Sequence, residues 1–160
     1  MPDPTQADET VLDREAFLAC AGKNRFPAGA VVRDCDLSGI ELTGRRLAGI
    51  AFEAVTLAGC RLAKADLSSC VLSEVDLTGA DLSGASLRGT VLVAATALAH
   101  GRFDSADAEG LRGEAVSFAD CSWTRANLSG ARLEEADLTG ASLVHATLGG
   151  AVLTGAAFYE

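Results

Sequence analysis

The sequence predicts an all-β chain wound as a parallel β-solenoid behind a short N-terminal helix. Three observations predict it. From Cys35 onward the chain repeats every five residues. The centre of each pentad is a large apolar residue, and a small one stands two positions before it. Aromatic residues make up only 5% of the chain, while glycine is 17 of 160. A globular core of this size normally uses aromatic rings to span its layers. Leucine and alanine in so regular an order imply many thin, equivalent layers instead.

The pentads can be followed residue by residue. Centres run from Leu37 to Leu92 in steps of five, giving 12 pentads, and from Leu98 to Phe158, giving 13 more. The step from Leu92 to Leu98 is six, so one residue is inserted within 93–97. Eighteen centres are Leu, four are Phe (Phe52, Phe103, Phe118, Phe158) and one is Trp123; only Ala108 and Gly113 depart. Two residues before the centre, 11 of 25 positions are Ala, and Cys35, Cys60, Cys70 and Cys121 also fall there. Two residues after it, 12 of 25 are Gly. A period of five fits neither an α-helix nor a flat strand. Two apolar positions separated by one residue point the same way in an extended segment. The glycine then turns the chain, because it tolerates positive φ. Extended segments alternating with turns build a polygonal coil, and successive coils stack through backbone hydrogen bonds.

The segment before the repeat differs. Residues 1–29 read as a tail, a capping helix and a connector; residues 30–160 read as the solenoid. Thr10 to Ala21 forms the expected helix, started by Thr10 or Asp8, stopped by Gly22, and apolar at Val11, Leu12, Ala16, Leu18 and Ala19. Lys23 to Gly29 connects it to a degenerate first pentad at Ala30-Val31-Val32. An open coil exposes its core and its unpaired backbone, so the helix is the expected N-terminal cap. The repeat has no matching cap at Phe158-Tyr159-Glu160. Phe158 and Tyr159 are therefore expected at a contact between two copies, joined end to end as a homodimer.

The pentads resemble the pentapeptide-repeat family, with its A-(D/N)-L-x-x consensus. The clearest copies are Ala65-Asp66-Leu67-Ser68-Ser69, Ala80-Asp81-Leu82-Ser83-Gly84, Ala126-Asn127-Leu128-Ser129-Gly130 and Ala136-Asp137-Leu138-Thr139-Gly140. The resemblance implies a right-handed quadrilateral parallel β-helix with four pentads per coil. Twenty-five pentads then make about six coils, or roughly 30 Å of rod.

Four pentads per coil sort the outward residues onto four sides. One side takes Glu53, Glu74, Glu114, Glu134 and Glu135, with Arg112 and Arg132 among them and an apolar patch of Val71, Val91, Val93 and Val152. The next takes Asp36, Asp76, Asp120 and Asp137. The third is mixed, and the fourth is mostly Ser, Gly and Thr. The acidity has two readings: a solvated surface, or a charged ridge that imitates a nucleic-acid backbone. One group of the family, the quinolone-resistance proteins, resembles duplex DNA in shape and charge and binds DNA gyrase and topoisomerase IV as C-terminally joined dimers. The resemblance thus implies a type II topoisomerase as partner. B-DNA carries one charge per about 1.7 Å, or on the order of 18 over such a rod. Residues 35–160 hold 16 acidic and 9 basic residues, a net of seven negatives. The competing reading is a structural adaptor in a multiprotein apparatus, for example one for secretion.

Composition excludes other classes. Thirteen Lys and Arg against 22 Asp and Glu argue against direct nucleic-acid binding. The longest apolar run, Val91 to Ala99, is too short to span a bilayer. The N-terminus lacks the basic start of a signal peptide, so a cytoplasmic protein with reduced thiols is expected. No metal, cofactor or catalytic set is indicated: His100 and His145 fall on different sides, and the cysteines have no metal-site spacing. A rigid repeat rod suits binding rather than catalysis, so the expected function is that of a non-enzymatic protein-interaction module.

Two irregularities remain. Ser105 to Glu114, with small Ala108 and Gly113 at its centres, is expected to loop out or leave the coil underpacked and mobile, Leu111 partly filling the gap. Arg45 stands at an inward site, where a buried lone guanidinium is costly. Either that corner is open or Arg45 pairs with Asp13 or Glu15.

Overall fold

The computed structural model describes residues 10–93 and 96–159. The elements run β1 (Thr10–Leu12), α1 (Arg14–Gly22), β2 (Ala30–Arg33), β3 (Ala51–Glu53), β4 (Val71–Ser73), β5 (Val91–Val93) and β6 (Arg112–Gly113). The six strands form one all-parallel sheet in chain order. Isolated parallel bridges build the other three sides: Asp36 pairs with Thr56, Glu41 with Arg61 and Arg46 with Asp66. Each coil therefore takes four pentads, and the section is quadrilateral. Further bridges from Arg112 to Arg132 and from Arg132 to Val152 continue the sheet side past β6.

The pentad Ala80 to Gly84 shows why the consensus has its form. The N–H of Asp81 reaches back to Cys60 O, and those of Leu82 and Gly84 reach on to Arg102 O and Asp104 O. The Ala80 N–H closes the turn onto Leu77 O. One donor is left, the N–H of Ser83, and Asp81 Oδ1 accepts it at 3.0 Å. The acid before the leucine thus satisfies a backbone donor that the stacking ladder misses. Asp36, Asp66, Asp76 and Asp137 do the same, and Asn127 does so without charge.

Among the described residues, the position two after each centre is left-handed whatever residue occupies it. Gly84 has φ 66°, but Lys64, Ala115 and Glu135 also stand at 57°, 53° and 57°. Stacking geometry imposes the turn, and glycine only relieves its strain. The inserted residue is absorbed within one coil. Val71 pairs with Val91, 20 residues on, whereas Asp76 pairs with Ala97 and Val91 with Arg112, each 21 on. Residues 94 and 95 of the insertion, the tail at 1–9 and Glu160 lie outside the described residues.

Two expectations are corrected, for the helix and for Ser105 to Glu114, and the two alternatives for Arg45 reduce to the open corner. The helix begins at Arg14, not Thr10, and its cap is Asp13, whose carboxylate accepts from Ala16 N at 2.8 Å. Thr10 to Leu12 is instead a strand in register with Ala30 to Val32. Phe17 drives the helix onto the first coil, fully buried against Phe26 and Phe52 at ring distances of 5.2 and 6.1 Å. Arg45 pairs with neither Asp13 nor Glu15 among the described residues; it is half-buried, so its corner is open. Arg14 of the cap helix makes the contact to the first coil, donating from Nη1 to Asp36 O at 2.6 Å.

Ser105 to Glu114 stays in the coil. Ala108 N donates to Asn127 O at 2.8 Å, Gly110 N to Ser129 O and Gly113 N to Arg132 O, each at 2.9 Å. Ala108 and Leu111 are buried. The small centres are offset by large ones nearby: Phe103 stacks on Trp123 at 4.1 Å, and Phe118 meets Trp123 edge-on at 5.2 Å.

The cysteines fill alanine sites and add a hydrogen bond. Sγ of Cys60, Cys70 and Cys121 lies 2.9, 3.0 and 2.9 Å from the carbonyls of Leu37, Leu47 and Leu98. Thr90 donates to Leu67 O from the equivalent position. Burial raises all three thiols, Cys70 and Cys121 to about 12. Near neutral pH only the half-buried Cys20 and Cys35 are expected to react with a thiol reagent, against all five in denaturant. Rapid labelling of Cys70 or Cys121 in the native protein would contradict this packing.

Candidate functional site

No helix among the described residues is long and apolar enough to cross a membrane. No described group of His, Cys, Asp and Glu could hold a metal ion. What the rod offers is its sides, and the sheet side is not uniform. Each of its strands presents two outward columns flanking the buried centre, followed by a corner. The first column holds Ala51, Val71, Val91 and Arg112, continued by Arg132 and Val152. The second holds Arg33, Glu53, Ser73 and Val93, followed in the pentad pattern by Glu114 and Glu134. The left-handed corner holds Asp34, Glu74 and Glu135.

This splits the five glutamates that the sequence placed together. Glu53 is paired with Arg33, at 2.6 Å from Nη2. Glu134 is paired with Arg132 at 2.8 Å, and its backbone hydrogen bond, helped by that arginine, holds its carboxyl below the usual range. Glu114 shares the column with them. These three acids are matched by Arg33, Arg112 and Arg132, so the flat of the side is neutral. Glu74 and Glu135 stand instead at the corner between this flat and the aspartate side.

Past the corner stand Asp36, Asp76 and Asp137, whose bridges place them in one column with Thr56, Ala97 and Ser117. Asp34/Asp36, Glu74/Asp76 and Glu135/Asp137 thus form three carboxylate pairs at three heights. Neither column carries a Lys or Arg among the described residues. Asp34 was not anticipated; its only signal in the sequence is its place two residues after Val32 of the degenerate pentad. Asp120 stands apart on the next corner, 3.5 Å from His100. The mixed side carries a balanced ladder, with Arg61 near Glu41 and Arg102 near Asp81, each at 3.6 Å.

Two carboxylates of the ridge, Asp36 and Asp137, stay ionised further into acid than an ordinary carboxylate. Side-chain and backbone hydrogen bonds from Ser38 hold Asp36 below the usual carboxylate range, and Thr139 does the same for Asp137. Their folded values lie below their unfolded ones. The stability they supply is therefore complete above the unfolded value and lost as pH falls through the folded one. Melting temperature is expected to hold from neutrality to about pH 5 and to fall below about pH 4. A melting temperature that rose on acidification through that range would refute the assignment.

Beyond Val11 and Leu18 at the N-terminal cap and Val144, the exposed large apolar side chains fall in two places. Val71 and Val93 on the sheet side are 40% and 42% exposed, and Val152 is near the same level. The last coil is the other place. Leu148, Phe158 and Tyr159 are 38%, 52% and 72% exposed, while Leu143 and Leu153 are half-buried. The N–H groups of Leu143, Leu148 and Leu153 have no backbone acceptor among the described residues, whereas that of Leu138 reaches Ala157 O.

Comparison with known proteins follows the same pattern. A family model described as pentapeptide repeats matches in eight copies, over residues 35–73, 52–89, 70–96 and 115–155. Comparison with curated protein sequences gives no match. Among solved structures, Rfr23 from the cyanobacterium Cyanothece 51142 is 18% identical, with a TM-score of 0.56 over 88% of this chain and 96% of that one. HetL from the cyanobacterium Nostoc sp. strain PCC 7120, involved in heterocyst differentiation regulation, is 20% identical, with a TM-score of 0.32 over 91% and 94%. QnrB1, a plasmid-mediated fluoroquinolone resistance protein, is 17% identical, with a TM-score of 0.30 over 93% and 89%.

Proposed function

We propose, from the premise that the chain belongs to the pentapeptide-repeat family, that it is a non-catalytic binding rod whose acidic ridge engages a basic protein surface. The observation that carries this reading is the segregation of charge. Asp34, Asp36, Glu74, Asp76, Glu135 and Asp137 share two adjacent columns that hold no Lys or Arg among the described residues, with Arg14 of the cap helix reaching the first pair at Asp36, while the other sides are close to balanced. Scattered solubilising carboxylates have no reason to sort in this way. A rigid row of anions also holds its spacing without an ordering cost on binding.

The finer reading is that the partner is a type II topoisomerase, whose DNA-binding surface is basic and accepts a rigid anionic rod. The test is supercoiling by DNA gyrase in the presence of the purified chain. Inhibition at micromolar concentration is expected, and loss of it in Glu74→Lys/Glu135→Lys. No inhibition by the unaltered chain would overturn the topoisomerase reading.

The second reading is a structural adaptor, favoured by the exposed last coil. Its apolar floor and the N–H groups that have no backbone acceptor among the described residues suit end-to-end association of two copies through Phe158 and Tyr159. Phe158→Asp/Tyr159→Asp is then expected to abolish that association and leave the fold intact. A cytoplasmic location agrees with the unpaired cysteines.

A further inference from the structure

We propose that the sheet side is a second self-association surface, on which two copies pack side by side with their rods parallel. The occupant is set by complementarity within the side itself. Its first column reads Ala51, Val71, Val91, Arg112, Arg132; its second reads Glu53, Ser73, Val93, Glu114, Glu134. A two-fold axis parallel to the rod, midway between two such sides, lays the first column of each copy on the second column of the other. Val91 then meets Val93 of the second copy. Arg112 meets its Glu114, and Arg132 meets its Glu134. Each contact occurs twice, as two-fold symmetry requires.

The alternative orientation fails on the same residues. Reversing one rod lays the first column on itself, so Arg112 and Arg132 meet each other or bury their charge against valine. The parallel arrangement instead gives partners to two groups that have none among the described residues. Arg112 and Glu114 make no ion pair with any described residue, although they stand only two residues apart. Val71 and Val93 supply the apolar centre, and the charges form its rim. The acidic corner stays clear of the contact. This inference is therefore independent of the partner proposed for the ridge.

The patch is a narrow strip, well below the roughly 800 Å² per partner of a standard interface, so association is expected to be weak and concentration-dependent. The test is sedimentation of the full chain carrying Phe158→Asp/Tyr159→Asp, which removes the end contact. The mass is expected to rise from 16.3 kDa towards twice that value with concentration. Arg112→Glu and Glu114→Arg are each expected to weaken the dimer by about tenfold, because like charges then face each other at both symmetry-related contacts. The double variant Arg112→Glu/Glu114→Arg is expected to restore it, since the swapped charges meet again only across the two copies. Val71→Asp is expected to abolish it without lowering the melting temperature. A mass fixed at the monomer, or a double variant as weak as either single one, would overturn the proposal.

Discussion

Trp123→Ala is expected to destabilise the rod by about 3–5 kcal/mol, the cost of removing a large aromatic from a packed core. Trp123 is among the largest fully buried side chains, and two other rings depend on it. Phe103 stacks on its face, and Phe118 packs against it edge-on. The small centres Ala108 and Gly113 belong to the coil on which this trio sits, so truncation leaves little nearby bulk to refill the space. Coils touch only their neighbours, so the damage is expected to stay local. Amide exchange should rise in the coils that hold Phe103, Phe118 and Trp123 and remain slow near Leu57 and Leu62. Trp123→Phe is the control. It keeps most of the volume and removes an indole N–H that has no hydrogen-bond partner among the described residues. Its cost is expected below about 1.5 kcal/mol. Denaturant curves followed by circular dichroism read both variants. Equal losses for Ala and Phe would show that the rings contribute little beyond their presence.

The readability of this chain follows from how local its interactions are. The pentad centre, the small residue before it and the turn after it are each decided within a few residues, so the coil could be read directly. The aspartate before the leucine is equally local, because it binds the N–H two residues on. Contacts between coils were harder to foresee. Thr10 to Leu12 is too short to declare itself a strand, and only pairing with Ala30 to Val32 makes it one. Glu53 and Glu134 look like members of an acidic side until Arg33 and Arg132 are seen to neutralise them. Conversely, the ridge needs Asp34, which the repeat pattern alone leaves outside its first clear pentad. Arg45 occupies an inward register position at a corner that is open, and register alone does not reveal openness.

Gly113 supplies the second large effect, because restoring the consensus there is expected to destabilise. A leucine fills this position in most pentads, and the φ of Gly113 is not left-handed, so its backbone would accept a side chain. The space would not. A Cβ at Gly113 would lie 2.5 Å from Val116 Cγ2 and 3.2 Å from Leu92 Cβ. The first distance is a hard overlap with a β-branched residue that has little rotamer freedom to yield. Gly113→Ala is expected to cost about 1–3 kcal/mol, as overpacking of a filled core does, and Gly113→Leu more. Val116→Ala removes the clashing methyl. In Gly113→Ala/Val116→Ala the two costs should fall short of additivity by about 0.5 kcal/mol or more, as coupled neighbours do. Additive costs, or a Gly113→Leu rod more stable than the parent, would mean that the aromatic trio and Val116 do not fill the axis of this coil.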